Sequence, residues 1–180
     1  LGTTNADETI HQGVEIFGEA DLLGHSWDAT PEHRLLLRGA WTYGHFKFDG
    51  DAVYGDNTIA GLPPHLIRGE LIWKHQDGYY AGPTLEWVPT GSYIDHANIL
   101  KANSYGLLGF KIGRRVEKGI SWFIETKNLT NERYAATTGI TANASIAPTG
   151  TPPGTSPNAY SRNFLSGDGR SVFAGIEWKW

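Results

Sequence analysis

The chain contains neither cysteine nor methionine among its 180 residues. Without cysteine there is no disulfide framework, no zinc–thiolate site and no thiol nucleophile. Without methionine the chain has no initiator, and no signal peptide is expected ahead of Leu1. The chain is therefore expected to be a processed product or a fragment. No apolar run reaches the roughly 18 residues that a transmembrane helix needs. Charged residues are only 19% of the chain, and the net charge of -4 is spread along it. There is no basic footprint, which excludes nucleic acid as a partner. Helix formers are scarce.

Aromatic residues, glycine and proline fill the space. Aromatics are 12% of the chain, with seven Trp and eight Tyr, beside 23 Gly and 9 Pro. That is the composition of strands and turns. The last stretch, ending at Trp180, alternates cleanly. Val172, Ala174, Ile176, Trp178 and Trp180 share one face; Ser171, Phe173, Gly175, Glu177 and Lys179 share the other. Period-two alternation means a strand with one apolar side. An indole has an apolar body and one N–H that wants water, so a Trp-rich strand end suits a membrane interface. A terminal strand of a soluble sandwich is the competing reading.

The same alternation recurs upstream. Glu8–Leu22 sets Ile10, Val14, Ile16, Ala20 and Leu22 against His11, Glu15, Glu19 and Asp21. His33–Phe48 sets Leu35, Leu37, Trp41 and Tyr43 against Arg34, Arg38 and Thr42. It is far longer than the usual soluble strand of about five or six residues. His65–His75 sets Ile67, Leu71 and Trp73 against Arg68, Glu70 and Lys74. Tyr79–Pro89 sets Tyr79, Ala81, Leu85 and Trp87 against Tyr80, Thr84 and Glu86, with Pro83 inside the run. A proline there loses a ladder hydrogen bond, which counts against a strand over this run unless a bulge lies at that point. Tyr105–Val116 sets Leu108, Phe110 and Ile112 against Lys111 and Arg115, and Ile120–Lys127 sets Ile120, Trp122 and Ile124 against Ser121, Glu125 and Lys127.

The fold expected is all-β: about seven antiparallel transmembrane β-barrel strands. Connections at 24–32, 76–78 and 117–119 are short, while those at 49–64, 91–103 and 135–168 are long. Short turns at one end and long loops at the other are the asymmetry of outer-membrane barrels. Trp41, Trp73, Trp87, Trp122, Trp178 and Trp180 fall on the apolar face as candidate membrane-interface aromatics.

Several segments resemble a known family. A last strand with apolar residues at every second position and an aromatic end resembles the C-terminal strand of bacterial outer-membrane barrels. In that family the strand is the tag read by the barrel-assembly machinery. The run Asn128-Leu129-Thr130-Asn131-Glu132-Arg133-Tyr134, followed by a long loop and Gly169-Arg170-Ser171, resembles the C-terminus of TonB-dependent outer-membrane receptors. Gly61-Leu62-Pro63-Pro64-His65 and Gly82–Pro89 also resemble segments of that family. The resemblance covers residues 8–180. It implies the C-terminal portion of a 22-stranded barrel with a plugged lumen, in the bacterial outer membrane. It further implies energy-coupled uptake of a scarce nutrient, most often a ferric siderophore or other iron complex. The plug domain and TonB box have no counterpart here, so TonB contact is expected only through a plug region that this chain lacks. Outer-membrane lipid and the assembly machinery are the other expected partners.

Candidate site residues follow. Arg34, Arg38, Arg68, Lys111 and Arg115 interleave with Glu15, Glu19, Glu70, Glu86 and Glu125 on the polar face. They are expected to line a lumen as cross-strand ion pairs. Tyr54, Asp56, Tyr93, Asp95, His96 and Tyr160 lie in the long loops and are the candidates for substrate contact. The seven histidines show no metal-site spacing such as His-x-x-x-His and are expected to pack at strand ends, so no metal or cofactor is expected. Ser121, Ser171, Asp95 and His96 assemble no nucleophilic triad, and no enzyme activity is expected. The alternatives are a small outer-membrane barrel acting as a passive pore or lipid-modifying enzyme, or a soluble ligand-binding β-domain.

Overall fold

A computed structural model describes residues 8–24, 31–144 and 164–180. Nine strands run in the order β1 (Thr9–Asp21), β2 (His33–Phe48), β3 (His65–His75), β4 (Tyr79–Val88), β5 (Tyr105–Arg114), β6 (Gly119–Lys127), β7 (Ala135–Thr138), β8 (Phe164–Ser166) and β9 (Ser171–Lys179). Seven of them form one antiparallel meander, β1-β2-β3-β4-β5-β6-β9. No helix occurs among the described residues. The sheet is not closed; β1 and β9 are its edges.

The seven-stranded sheet is the one expected, and two short strands add to it. Strands β7 and β8 pair with each other inside the stretch read from the sequence as one loop, 135–168. Four and three residues are too few to show a period. The rest of that loop, residues 145–163, lies outside the described residues, as do 1–7 and most of the 24–32 connection.

Every ladder preserves the sidedness of the strands. Leu37 stands opposite Ala20 and Leu71, Leu85 opposite Leu108, Ile112 opposite Ala81 and Ile124, and Ile124 opposite Ala174. The apolar faces therefore merge into one continuous surface, and the charged faces into another. Burial is inverted relative to a soluble sheet. The apolar surface is bare, with Leu37, Trp41, Trp87, Leu108, Ile124 and Ile176 all exposed, Ile176 at 82%. The charged side holds the buried residues Leu36, at 2%, and Ile72, at 3%. A cavity of about 580 Å³ opens on this charged side. Soluble monomers rarely leave more than a few hundred Å² of contiguous apolar surface bare.

Strand β4 gives the height of the apolar surface. Tyr79 and Trp87 bracket Ala81, Pro83 and Leu85 on it, and both aromatic rings are exposed. The eight residue steps from Tyr79 to Trp87 span roughly 26 Å of strand. A tilt of about 40° reduces that to roughly 20 Å, close to the ~25 Å apolar band of outer-membrane barrels.

The strand runs through Pro83 without a bulge. The β4–β5 ladder runs unbroken through Pro83, opposite Phe110. Toward β3 the ladder skips Gly82 and Pro83 and resumes at Ala81 opposite Trp73, in the same register. The missing N–H costs ladder pairs on one side only. The adjoining Gly82 tolerates the close backbone: a Cβ there would lie 1.9 Å from the Leu71 carbonyl oxygen. At the short-turn end, Gly78 takes φ 87°, and its carbonyl accepts the Arg115 N–H at 2.9 Å. This contact ties the 76–78 turn to the next one.

Candidate functional site

The polar face carries a connected charge ladder. Arg38 on β2 bonds Glu19 on β1 and, at 3.0 Å, Glu70 on β3. Glu70 also accepts from Lys111 on β5 at 2.6 Å. Lys111 reaches across β4 at Gly82, its register partner, which has no side chain to block it. Arg68 pairs with Glu86 at 3.0 Å, and Arg34 lies 3.6 Å from Asp21. Glu125 stands opposite Lys111 and lines the 580 Å³ cavity together with Arg38, Glu70, Lys74 and Arg115. The cavity thus joins cations and anions within reach of one another. Partly buried pairs of this kind hold strands in register and present a polar wall.

The long loops at the other end are not loose. Gly61 N–H donates to Tyr93 O at 2.7 Å, joining loop 49–64 to loop 91–103. Asn98, with φ 57°, forms a two-bond clamp on Thr58: its Oδ1 accepts the Thr58 N–H at 2.8 Å, and its Nδ2 donates to the Thr58 carbonyl at 2.8 Å. His96 N–H donates to Thr141 O and Thr141 N–H to Ile94 O, both at 3.0 Å, which brings in a third loop. Ile94 and Ala60 are buried between them.

This packing divides the loop candidates. Asp95 is fully buried. Its Oδ1 accepts from Ile99 and Leu100 N–H at 3.0 Å each, and its Oδ2 from Ala144 N–H at 3.1 Å. It was expected among ligand contacts; its oxygens instead hold loops together and do not face solvent. His96 packs edge-on to Phe48 and accepts the Ala60 N–H at Nδ1, 3.4 Å away. Burial holds its imidazole below the usual histidine range, against the opposing pull of Asp95. Tyr54 packs on Phe48 and His96. Asp56 is exposed; the Gly50 N–H and then Lys47 keep its carboxyl below the usual carboxylate range. Tyr93 lies under the Lys101 ammonium, 5.0 Å from the ring centre. Tyr160 lies outside the described residues. Asn98 was missed by sequence reasoning; a lone asparagine in a polar loop carries no signal until its partner Thr58 is beside it.

The Asn128–Tyr134 segment is a staple. Asn128 ends β6 in a left-handed turn, φ 53°, at 2% exposure. Its Oδ1 accepts the Glu132 N–H at 2.7 Å, and its Nδ2 donates to the carbonyls of Glu132 and Asp168 at 2.9 Å each. The Arg170 guanidinium donates to Leu129 O at 3.1 Å. Tyr134 lies flat against Gly167, where any Cβ would meet the ring at 2.0 Å. The end of β6 is thereby locked to the start of β9 across the long connection.

On the apolar face, Trp41 and Trp87 flank Ile67 near the loop end. Trp73, Trp122 and Trp178 lie toward the short-turn end, and Trp178 meets Trp180 edge-on at 6.1 Å.

Comparison with curated proteins gives no match. The family model described as TonB dependent receptor-like, beta-barrel matches residues 1–129. The match includes the Pro63–His65 and Gly82–Pro89 segments and ends within the Asn128 staple. That family is one of outer-membrane receptors of transporter type, which implies TonB interaction and a bacterial outer membrane. With the greater part of its length matched, this chain belongs to the TonB-dependent receptor-like β-barrel family.

Proposed function

We propose that the chain is the C-terminal part of the barrel of a receptor that takes up a ferric siderophore or another iron complex. The observation that supports the barrel part of this reading is the inverted sheet: apolar side bare, charged side bearing a ladder of ion pairs. Such a surface needs lipid on one side and a plug or aqueous lumen on the other. The open edges at β1 and β9 are filled by the remaining strands of the larger barrel, since unpaired edges of this length invite aggregation.

In this reading the turns at 76–78 and 117–119 and the terminal Trp180 face the periplasm. The interlocked loops face outward. The Trp positions on the apolar face meet lipid. Tyr54, Asp56, Tyr93 with Lys101, and the rim of His96 are the first contacts for ligand. Rings and a cation at an outer rim suit a large anionic chelate too big for a porin. The iron assignment also rests on the prevalence of iron receptors in the family. Energy comes through a plug and TonB, and the barrel wall performs no bond chemistry.

The test is uptake of radiolabelled iron by the source bacterium, supplied as one ferric siderophore at a time. Uptake of one such complex is expected to vanish on disruption of the gene encoding this chain and on removal of TonB. Iron uptake unchanged by the disruption, for every complex tried, defeats the substrate assignment. Uptake that survives loss of TonB defeats the energy-coupled reading.

A further inference from the structure

His33 opens β2 and His75 closes β3, and the register sets them directly opposite each other. No spacing along the chain announces this, because the two residues come from different strands. Their ring centres are 5.0 Å apart, and both rings pack beside Trp73, at 5.7 and 6.0 Å. Glu32 immediately precedes β2. Its carbonyl accepts the Gln76 N–H at 2.9 Å, which anchors its backbone against the 76–78 hairpin. From there Glu32 Oε1 lies 3.6 Å from His33 Nε2 and 3.6 Å from His75 Nε2. The three ligand atoms lie within 4.8 Å of one another.

We propose that Glu32, His33 and His75 form a binding site for a divalent transition-metal cation at the short-turn rim of the apolar face. Tetrahedral ligands about 2.0–2.1 Å from a metal stand roughly 3.4 Å from each other. Two of the three separations already have nearly that value, so a small rotation of one imidazole completes the set. Two imidazoles and one carboxylate suit Zn²⁺, Cu²⁺ or Ni²⁺; Ca²⁺ and Mg²⁺ prefer all-oxygen shells. Glu32 and His33 are exposed, which leaves an entry path and a position for water. The bland reading of the same contacts is a pair of pH-dependent ion pairs between Glu32 and the two imidazoles.

Asp77 supplies the support that a metal-bound histidine requires. His75 Nδ1 lies 3.4 Å from the Asp77 carboxylate and 3.1 Å from the Asp77 backbone N–H. With its proton on Nδ1, the imidazole donates to the carboxylate and leaves Nε2 free for metal. With its proton on Nε2, Nδ1 accepts the backbone N–H and no metal binds. Metal loading selects the first tautomer. Once filled, the site clamps the connection before β2 to the hairpin after β3. The inference is independent of which substrate the receptor carries.

The test uses the complete receptor, purified in detergent and stripped with a chelator. Titration with Co²⁺ followed by visible absorption is expected to show one saturable tetrahedral site, displaced by Zn²⁺. His33→Gln and His75→Gln should each weaken binding by at least about tenfold, and Asp77→Asn by about ten- to a hundredfold. His65→Gln, stacked on Trp41 at the opposite end of the same face, should change nothing. If His75→Gln fails to fold, the exposed Glu32→Gln and His33→Gln variants carry the test alone. Absence of saturable binding up to millimolar metal overturns the proposal. So does binding of unchanged strength in His33→Gln and Glu32→Gln.

Discussion

Asn128 offers a perturbation whose cost can be worked from its contacts. The side chain is almost fully buried and makes three hydrogen bonds of 2.7 to 2.9 Å, one as acceptor and two as donor. Truncation to alanine strands the Glu132 N–H and the carbonyls of Glu132 and Asp168. Each lost bond costs about 1 kcal/mol. The backbone at φ 53° is left-handed, where a Cβ without a helpful side chain costs about 1–2 kcal/mol more. Asn128→Ala should therefore destabilise by about 4–5 kcal/mol. Asn128→Gly loses the same bonds but not the backbone fit, and should recover about 1 kcal/mol of that. Asn128→Asp keeps the acceptor for Glu132 N–H and sets a negative charge against two carbonyls, so it should be at least as damaging as alanine. The assay is urea unfolding of the complete barrel in phospholipid vesicles, followed by tryptophan fluorescence. A loss below about 1 kcal/mol for Asn128→Ala would refute the staple. Glycine no better than alanine would refute the backbone part alone.

Two further outcomes follow from the same geometry. Leu37→Arg and Ile112→Arg, on the bare apolar face, should each cost about 2–4 kcal/mol in lipid, while Thr42→Arg on the charged face should cost far less; equal costs in the same unfolding assay would mean that the two faces are wrongly assigned. Burial lowers the His96 pKa from 6.5, so the loops favour its neutral ring: their stability is complete above that value and falls as the pH drops below it, with Asp95 partly opposing the loss. Amide exchange in 91–103, corrected for intrinsic rates, should quicken at acid pH in the native chain and not in His96→Gln; identical behaviour of the two would remove His96 as the cause.

The division between local and long-range information follows strand by strand. Alternation along a strand depends only on the chain's own pleat, so it assigns faces before any partner is known. It placed Leu37, Trp41, Ile67, Leu85 and Ile124 on one side, and the ladders kept them there. Turn chemistry is equally local: Gly78 and Gly119 mark their turns because only glycine takes φ near 90° without strain. A slip of one residue would turn a whole strand inside out, so the sequence by itself restricts register to steps of two. The tertiary structure decided which step. That choice set Arg38 between Glu19 and Glu70, and His33 opposite His75. It also decided the loops, where no period exists. The burial of Asp95, the Asn98 clamp on Thr58 and the β7–β8 pair each need a partner tens of residues away. The Asn128 segment stands between the two cases. Its residues stand out in the sequence, but the bond to Asp168 that explains them forms only when β9 returns to lie beside β6.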